Sequence, residues 1–258
     1  MDVKALLLGL ADAVQHAVAQ VGEDRGEVVG RGADGAPSHR IDRVAEAAVL
    51  RFLDYEGARI NVLSEEAGYV DRGGDELLVL DPVDGTHNAI RGFPAYSVSL
   101  AIARGPQMSS VEEGLVRDLV SGATYYGAKG QGAMLNGRTI RAKTFDPADS
   151  LFTVYLGSNA APDAARVASR ARRVRSLGAA SLDLCLVASG AADMYYMHSA
   201  VVATKLRAVD IAAGVLIVRE AGGRVLDLEG RELEMDLSPK ARTDLVAVGD
   251  PKALEALG

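Results

Sequence analysis

Two carboxylates, a proline turn and a helix start follow one another in residues Asp81–Thr86, with the sequence Asp-Pro-Val-Asp-Gly-Thr. Carboxylate oxygens are the ligands that Mg²⁺ prefers in proteins. Pro82 has no N–H to give a neighbouring strand, so the apolar strand Glu76–Leu80 is predicted to end at Asp81. The side chains of Asp81 and Asp84 can then point to one side of the turn. The spacing therefore suits a hard cation held beside a phosphate.

The second half of this segment supplies the phosphate side of the site. Gly85 lets the backbone approach a ligand closely, and Thr86 is predicted to be the N-cap of a short helix, His87–Arg91. The amides of Gly85 and Thr86 would then meet an anion, while the Val83 carbonyl faces the cation. Asp-Pro-x-Asp-Gly is also the composition of an ordinary turn, so the motif alone leaves both interpretations open.

Two other segments repeat the pattern of acids at the ends of apolar elements. Glu65 and Glu66 follow the predicted strand Ile60–Leu63, and Asp210 opens an otherwise apolar helix that continues to Ile217. A Glu-Glu pair can equally be solvated surface, and Asp210 can equally be a plain N-cap. The presence of all three segments favours a site built from acids that are remote in sequence.

In this order and with these neighbours, the segments resemble the inositol monophosphatase family of Mg²⁺-dependent, Li⁺-sensitive phosphatases. Asp81–Thr86 matches the family's core motif, and Asp210–Gly214 followed by Glu220–Gly223 matches its second signature. Gly127–Ala133 is similar to the family's central hairpin, so the resemblance covers most of the chain. Gly32–Gly35 looks closer to archaeal members, which often hydrolyse both inositol monophosphate and fructose 1,6-bisphosphate.

The resemblance implies a metal site with two or three Mg²⁺ ions. The first ion is expected on Glu65, Asp81 and the carbonyl of Val83. The second is expected on Asp81, Asp84 and Asp210, so that Asp81 bridges the two. Glu65 is also expected at a looser third site, which gives it a part in catalysis.

The resemblance assigns orientation of the nucleophilic water to Thr86, whose hydroxyl is hydrogen-bonded by Asp42. Asp42 can equally be a plain charge at the start of the second helix, where it complements the helix dipole. His39 and His87 are not expected to be metal ligands. Neither has a partner at ligand spacing, and Mg²⁺ prefers hard oxygen donors.

Substrate recognition is less legible in the sequence. Gly178, Ala179 and Ala180 align with the family's sugar-binding turn and helix start. Met197 stands where inositol-selective members place an acid that grips ring hydroxyls, which puts inositol selectivity in doubt. Candidates for a second phosphate or a sugar hydroxyl, each of which can instead be surface charge or core edge, are Arg207, Lys205, Tyr155 and Arg166.

Composition bounds the class of protein. The 258 residues are 48% hydrophobic with a net charge of −7, and no basic stripe exceeds Arg170–Arg175, so neither a nucleic-acid partner nor a membrane partner is expected. The run Leu6–Leu8 is too short for a membrane span and reads as part of an amphipathic helix. The single Cys185 cannot form an internal disulfide and is expected to be a buried thiol, in a cytoplasmic protein.

The order of elements predicts an α+β fold. Long helical patterns over Val3–Val21 and Ile41–Tyr55 flank a glycine-rich loop at Gly30–Pro37, and an antiparallel meander follows. We expect one half at residues 1–146, with Glu65 and the Asp81–Thr86 motif, and an α/β half at 147–258, with Asp210. The resemblance implies a layered α-β-α-β-α sandwich with the metal site where the halves meet.

The acidic motifs together with the resemblance predict a phosphomonoesterase that uses metal-activated water, and the resemblance implies inositol 1-phosphate and fructose 1,6-bisphosphate as its substrates. The resemblance also implies a homodimer. One alternative is a 3′(2′),5′-bisphosphate nucleotidase or NADP phosphatase of the same superfamily. Another is a non-catalytic regulatory binding protein that keeps the fold, which the full set of acids argues against.

Overall fold

The computed structural model describes residues 2–33 and 35–257. Asp34, which belongs to the segment that looked closer to archaeal members, lies outside this range, as do Met1 and Gly258. The α-helices are α1 (Val3–Ala19), α2 (Arg40–Tyr55), α3 (Thr86–Arg91), α4 (Pro162–Ser169), α5 (Ala180–Ala188) and α6 (Ala208–Glu220). Short 3-10 helices lie at Glu23–Gly26, Met108–Ser110, Pro147–Asp149, Val202–Thr204 and Pro251–Leu257.

The strands form a hairpin and two larger sheets. The hairpin pairs β1 (Val28–Arg31) with β2 (Pro37–His39). The eight-stranded sheet contains β3 (Asn61–Ser64), β4 (Gly68–Val70), β5 (Leu77–Asp84), β6 (Ser97–Ala103), β7 (Val111–Asp118), β8 (Thr124–Ala128), β9 (Gly132–Leu135) and β10 (Arg138–Ile140). The five-stranded sheet contains β11 (Leu151–Val154), β12 (Arg173–Arg175), β13 (Met194–Met197), β14 (Arg224–Leu226) and β15 (Leu245–Val248).

The elements stack in five layers. Helices α1 and α2 cover one face of the eight-stranded sheet, whose order is β10-β9-β8-β7-β6-β5-β3-β4. Helices α5 and α6 fill the space between that sheet and the five-stranded sheet, whose order is β12-β11-β13-β15-β14. Helix α4 and the last 3-10 helix cover the outer face of the second sheet. The α+β class and the α-β-α-β-α sandwich are therefore confirmed.

Helix α6 is held close to the first sheet because glycines face it. A Cβ on Gly114 of β7 would lie 2.9 Å from the Ala213 Cα, and one on Gly127 of β8 would lie 3.2 Å from the Ile217 Cα. On its other side, a Cβ on Gly214 would lie 2.7 Å from the Leu184 Cδ1 in α5. A Cβ at Gly114 would clash with the backbone of α6, and one at Gly127 would push the helix away by a few tenths of an ångström. The start of α6, with Asp210, is thereby fixed against β5 and β6.

Three sequence expectations about elements were wrong. The glycine-rich segment after residue 30 is not simply a loop, because β1 and β2 pair across it as a hairpin. Strand β5 does not end at Asp81 but runs through Pro82 to Asp84, because β3 pairs with β5 only as far as Leu80 and leaves no strand that needs the missing N–H. Thr86 is the first residue of α3, and Gly85 is its N-cap.

The expectation for Cys185 is confirmed. Cys185 is fully buried and unpaired, and burial raises the pKa of its thiol well above the usual value. None of the helices in the described ranges combines the length and hydropathy that a membrane span requires. The first sheet draws on residues 61–140 and the second on residues 151–248, on either side of the expected boundary between halves. That these halves are separate domains stays a prediction.

Candidate active site

A β-bulge brings the two aspartates of the first motif to one face of the sheet. Residues three apart in a regular strand face opposite sides. In β5, Asp81 pairs with Ser99 while Asp84 pairs with Ser97, so one extra residue is inserted between the aspartates. Ser97 and Ser99 share a face, and both aspartates therefore point toward the α5–α6 layer. Val83 packs on the opposite side, against α1 and α2.

Glu65, Asp81 and Asp210 converge although they come from three remote segments. One carboxylate oxygen from each lies within 4.8 Å of the other two. Asp81 is only 1% exposed, and burial raises its pKa well above the usual range, with the charges of Glu65, Asp84 and Asp210 adding to the effect. Two of these acids are buried and Glu65 is half-buried, so their mutual repulsion is relieved only by positive charge placed among them, and the Arg207 guanidinium supplies part of it. An all-oxygen donor set of this kind fits Mg²⁺.

The Asp84 carboxylate faces the first turn of α5. It accepts hydrogen bonds from the Ala180 amide at 3.2 Å, the Ser181 amide at 2.7 Å and the Ser181 hydroxyl at 2.6 Å. Burial raises the pKa of Asp84 to about 7, the Ser181 hydroxyl opposes this shift, and Asp210 adds to it. Asp84 is therefore near Asp210 but outside the three-carboxylate group. It links the first motif directly to the second half of the chain.

Arg207, a candidate for a substrate contact, lines the cavity among the acids. Its guanidinium donates to Asp210 Oδ1 at 2.7 Å and also contacts the Glu65 carboxylate. Asp210 in turn accepts from the Arg207 amide at 2.7 Å and so caps α6. The capping role and the site role that the sequence left open for Asp210 are both present.

The Thr86 hydroxyl is held between Asp42 and the main chain. Its Oγ1 lies 2.9 Å from Asp42 Oδ1 and 2.9 Å from the Val83 carbonyl oxygen. Asp42 is 3% exposed, and burial raises its pKa to about 7, with the Thr86 hydroxyl opposing this and the charges of Glu65 and Glu66 adding to it. Asp42 also accepts from the His39 amide at 3.3 Å at the start of α2. A helix-start role and a Thr86 contact therefore coexist.

Sequence reasoning missed Glu46, which holds the backbone on either side of Glu65. Glu46 of α2 is 4% exposed, and its Oε1 accepts from the Ser64 hydroxyl and from the Ala67 amide, the latter at 3.0 Å. These bonds bracket Glu65. A signal was present in the sequence, because Glu46 lies in the apolar stripe of an amphipathic helix, where a charged residue needs a partner.

The cavity between the halves has a volume of about 550 Å³ and two unlike walls. We call Glu65, Asp81, Asp84 and Asp210 the acidic wall. We call Val154, Tyr155, Leu177, Tyr195 and Met197 the apolar wall. Gly178, Ala179 and Ala180 lie between the two, and Gly85 and Thr86 also line the cavity.

The remaining candidates are scattered. Tyr155 lines the cavity, whereas Lys205 pairs with Asp244 and Arg166 donates to the Leu257 carbonyl. His39 and His87 also line the cavity, with ring centroids 5.8 Å apart.

A sequence model of the inositol monophosphatase family matches residues 3–257. The chain belongs to this family. The match takes in both acidic motifs and both halves of the sandwich, so it covers the whole cavity. The chain is accordingly a phosphoric monoester hydrolase of a metal-dependent family, for which magnesium is typical.

Individual relatives agree with this assignment. The chain is 39% identical to a fructose-1,6-bisphosphatase/inositol-1-monophosphatase from Methanothermobacter thermautotrophicus, over 96% of this chain and 92% of the relative. It is 33% identical to a bifunctional NADP phosphatase/NAD kinase from Methanococcus maripaludis, over 95% of this chain but only 47% of that protein. A solved structure described as an inositol monophosphatase-fructose 1,6-bisphosphatase superposes with a TM-score of 0.87 at 28% identity, covering 100% of this chain and 98% of the other.

Proposed function

We propose that this enzyme is a Mg²⁺-dependent phosphomonoesterase that hydrolyses inositol 1-phosphate and fructose 1,6-bisphosphate. The observation that carries the proposal is the meeting of Glu65, Asp81 and Asp210 in one cavity, which the Thr86–Asp42 pair also lines. The names of the relatives support the substrate class.

The donor set decides which cation fits. Glu65, Asp81, Asp84 and Asp210 offer carboxylate oxygens and Val83 a carbonyl oxygen, and we propose that they hold two or three Mg²⁺ ions. Such ions supply a bound water of lowered pKa and neutralise charge on the phosphoryl oxygens. Arg207 already contacts two of these acids, so its guanidinium is placed to adjust as the cluster takes up cations.

The other residues bind and orient. The transferred phosphate would lie at Gly85 and Thr86, where the backbone turns through a left-handed φ of 87° into α3. The Thr86 hydroxyl would accept a hydrogen bond from the attacking water while donating to Asp42, which takes up the proton. Gly178, Ala179 and Ala180 would contact the alcohol part of the substrate, because they lie between the acidic and apolar walls.

A phosphate-release assay tests the proposal. The purified protein is incubated with inositol 1-phosphate, fructose 1,6-bisphosphate and NADP, with Mg²⁺ and then with excess chelator. We expect release from the first two esters that stops on chelation. Undiminished release in chelator, or no release from any ester, would overturn the proposal, and the second result would support the non-catalytic alternative.

A second candidate function is NADP phosphatase. The observation that favours it is the apolar wall, where Tyr155, Leu177 and Met197 could pack against a base. Preference for NADP by more than about tenfold in kcat/KM would select this function.

We further propose a cytoplasmic homodimer composed of chains whose halves, 1–146 and 147–258, are separate domains. The resemblance to the family supports the dimer, and the absence of a disulfide framework around the single Cys185 suits a reducing compartment. Light scattering coupled to gel filtration measures the mass directly. A mass near 27.0 kDa, that of one chain, would exclude the dimer.

A further inference from the structure

Two histidines that the proposed chemistry does not use lie side by side where the cavity is expected to hold the phosphate. His39 is the N-cap of α2, and His87 directly follows Thr86 in α3. Their rings meet edge to face with centroids 5.8 Å apart, and both residues line the cavity together with Gly85 and Thr86. The fold therefore brings two imidazoles from remote segments to the same place as the residues that are proposed to hold the phosphate.

Both rings are accessible to a ligand. His87 is exposed, and the side chain of His39 is 16% exposed. His39 Nδ1 lies 3.6 Å from Asp42 Oδ2, so Asp42 faces one nitrogen of this ring and leaves Nε2 on another edge. A carboxylate beside one imidazole nitrogen favours a proton on that nitrogen. Nε2 is therefore the nitrogen of His39 that would contact a ligand.

The charges of the two rings suit an anion. Burial, and then the charge of His87, lowers the pKa of His39. Two imidazolium rings repel each other, and a phosphate that contacts both would offset this repulsion, so phosphate and protons favour each other's binding. An imidazolium ring donates from both nitrogens and accepts from neither, which matches an oxyanion. Arg207 also lines the cavity, but its guanidinium already contacts Glu65 and Asp210. The histidines can thus supply positive charge that Arg207 shares with the acids.

We propose that His39 and His87 form a phosphate-binding pair, in which both imidazoles donate hydrogen bonds to the phosphate group that Gly85 and Thr86 hold. This inference rests on the proposed phosphatase function, and it adds two side-chain donors to that site. The pair binds the phosphate of the ester before hydrolysis and the inorganic phosphate after it. Its main effect is therefore on the affinity for phosphate compounds.

Calorimetric titration of inorganic phosphate into the protein with Mg²⁺ measures binding without turnover. At a fixed pH near 6.5, the ordinary pKa of histidine, His87→Gln should raise the Kd for phosphate about tenfold, because a charge-assisted hydrogen bond is lost. His39→Gln should raise it by a similar factor. His87→Lys keeps a cation at this exposed position and should restore most of the affinity. His16→Gln changes an exposed histidine of α1 outside the cavity and should bind phosphate as the wild type does.

Steady-state assays of the same variants give KM and kcat separately. His87→Gln should raise KM for inositol 1-phosphate and for fructose 1,6-bisphosphate by similar factors, with a smaller effect on kcat. An unchanged Kd for phosphate in His87→Gln, no recovery in His87→Lys, or a KM increase confined to fructose 1,6-bisphosphate would each overturn the inference.

Thermal melts separate a folding defect from a binding defect. If His87→Gln does not fold, His87→Asn replaces it, and the same increase in Kd is required. Wild-type protein that binds phosphate but releases none from either ester would instead overturn the phosphatase proposal, so the two failures are distinguishable.

Discussion

The two walls of the cavity are built by different means. Every carboxylate of the acidic wall is held by hydrogen bonds or ion pairs. Asp84 is tied to Ser181 and Glu65 to Arg207 across the chain, while Asp81 and Asp210 accept from neighbours in their own segments. The apolar wall is shaped by packing, with Tyr155, Leu177 and Met197 in contact with the central apolar core. The positions of the carboxylates are therefore strictly set in this enzyme. The shape of the apolar wall can change with a smaller loss of activity.

The largest loss of activity is expected when one carboxylate of the acidic wall is removed. Asp84→Asn keeps one oxygen for Ser181 or Ala180 but turns the other into an NH₂ that cannot accept a hydrogen bond. The link to α5 is weakened and the charged ligand of the proposed metal is lost. We expect kcat with Mg²⁺ to fall by about 10³-fold or more while far-UV circular dichroism stays unchanged. Steady-state phosphate release checks this.

The control for this variant is Asp75→Asn, which changes an exposed acid outside the cavity. It should keep wild-type turnover. Wild-type kcat in Asp84→Asn would remove Asp84 from the metal set.

A substitution at Thr86 tests the hydroxyl that is proposed to orient the attacking water. Thr86→Val keeps the shape of the side chain but removes the hydroxyl that bonds Asp42 and the Val83 carbonyl. We expect kcat to fall about 10²-fold with KM little changed, because general acid–base contributions are of this size. A KM increase without a kcat decrease would show that Thr86 only binds substrate.

Glu46 shows whether the acidic wall depends on its supporting bonds. Glu46→Ala frees the Ser64 hydroxyl and the Ala67 amide on either side of Glu65. We expect the Mg²⁺ concentration for half-maximal activity to rise about tenfold, with kcat at saturating Mg²⁺ within about twofold, since such supporting residues affect metal affinity. Titration of activity with Mg²⁺ measures this.

Glu56→Ala is the matched control, because Glu56 is an exposed acid just beyond the same helix. An unchanged Mg²⁺ requirement in Glu46→Ala would mean that Glu65 keeps its position without the bonds from Glu46 to Ser64 and Ala67.

The smallest effect is on stability. Folding raises the pKa of Asp42 and of Asp84 from 3.8 to about 7, so the folded state binds more protons than the unfolded state between these values. The free energy of unfolding should therefore fall as pH rises from about 4 to about 7. In chelator, we expect Tm to be about 5 °C lower at pH 8 than at pH 5.5, and added Mg²⁺ to reverse most of the decrease.

Asp84→Asn should flatten this pH dependence, since it removes one of the two titrating groups. A Tm in chelator that rises over the same pH interval would contradict the assignment of buried, uncompensated acids to this wall.

The sequence predicted the elements that carry the acids well, because short apolar runs and helical periodicity are local signals. It located Asp81, Asp84 and Asp210 by motif, but not the bulge in β5, since pairing with β6 decides it and not the residues themselves. The partners of Glu46 and Ser181 were missed for the same reason. Their importance lies in contacts with Ser64 and Asp84, which only the folded chain brings within reach.

The inserted residue in β5 makes this site sensitive to chain length as well as to chemistry. Deleting one residue between Asp81 and Asp84 would restore regular pairing with β6, yet it would leave both aspartates in the protein. What changes is the loop geometry that follows, because Gly85 and α3 would be drawn about one residue rise, roughly 3.3 Å, toward the sheet. Substitutions at Pro82 or Val83 should therefore reduce activity far less than deletion of one of these two residues.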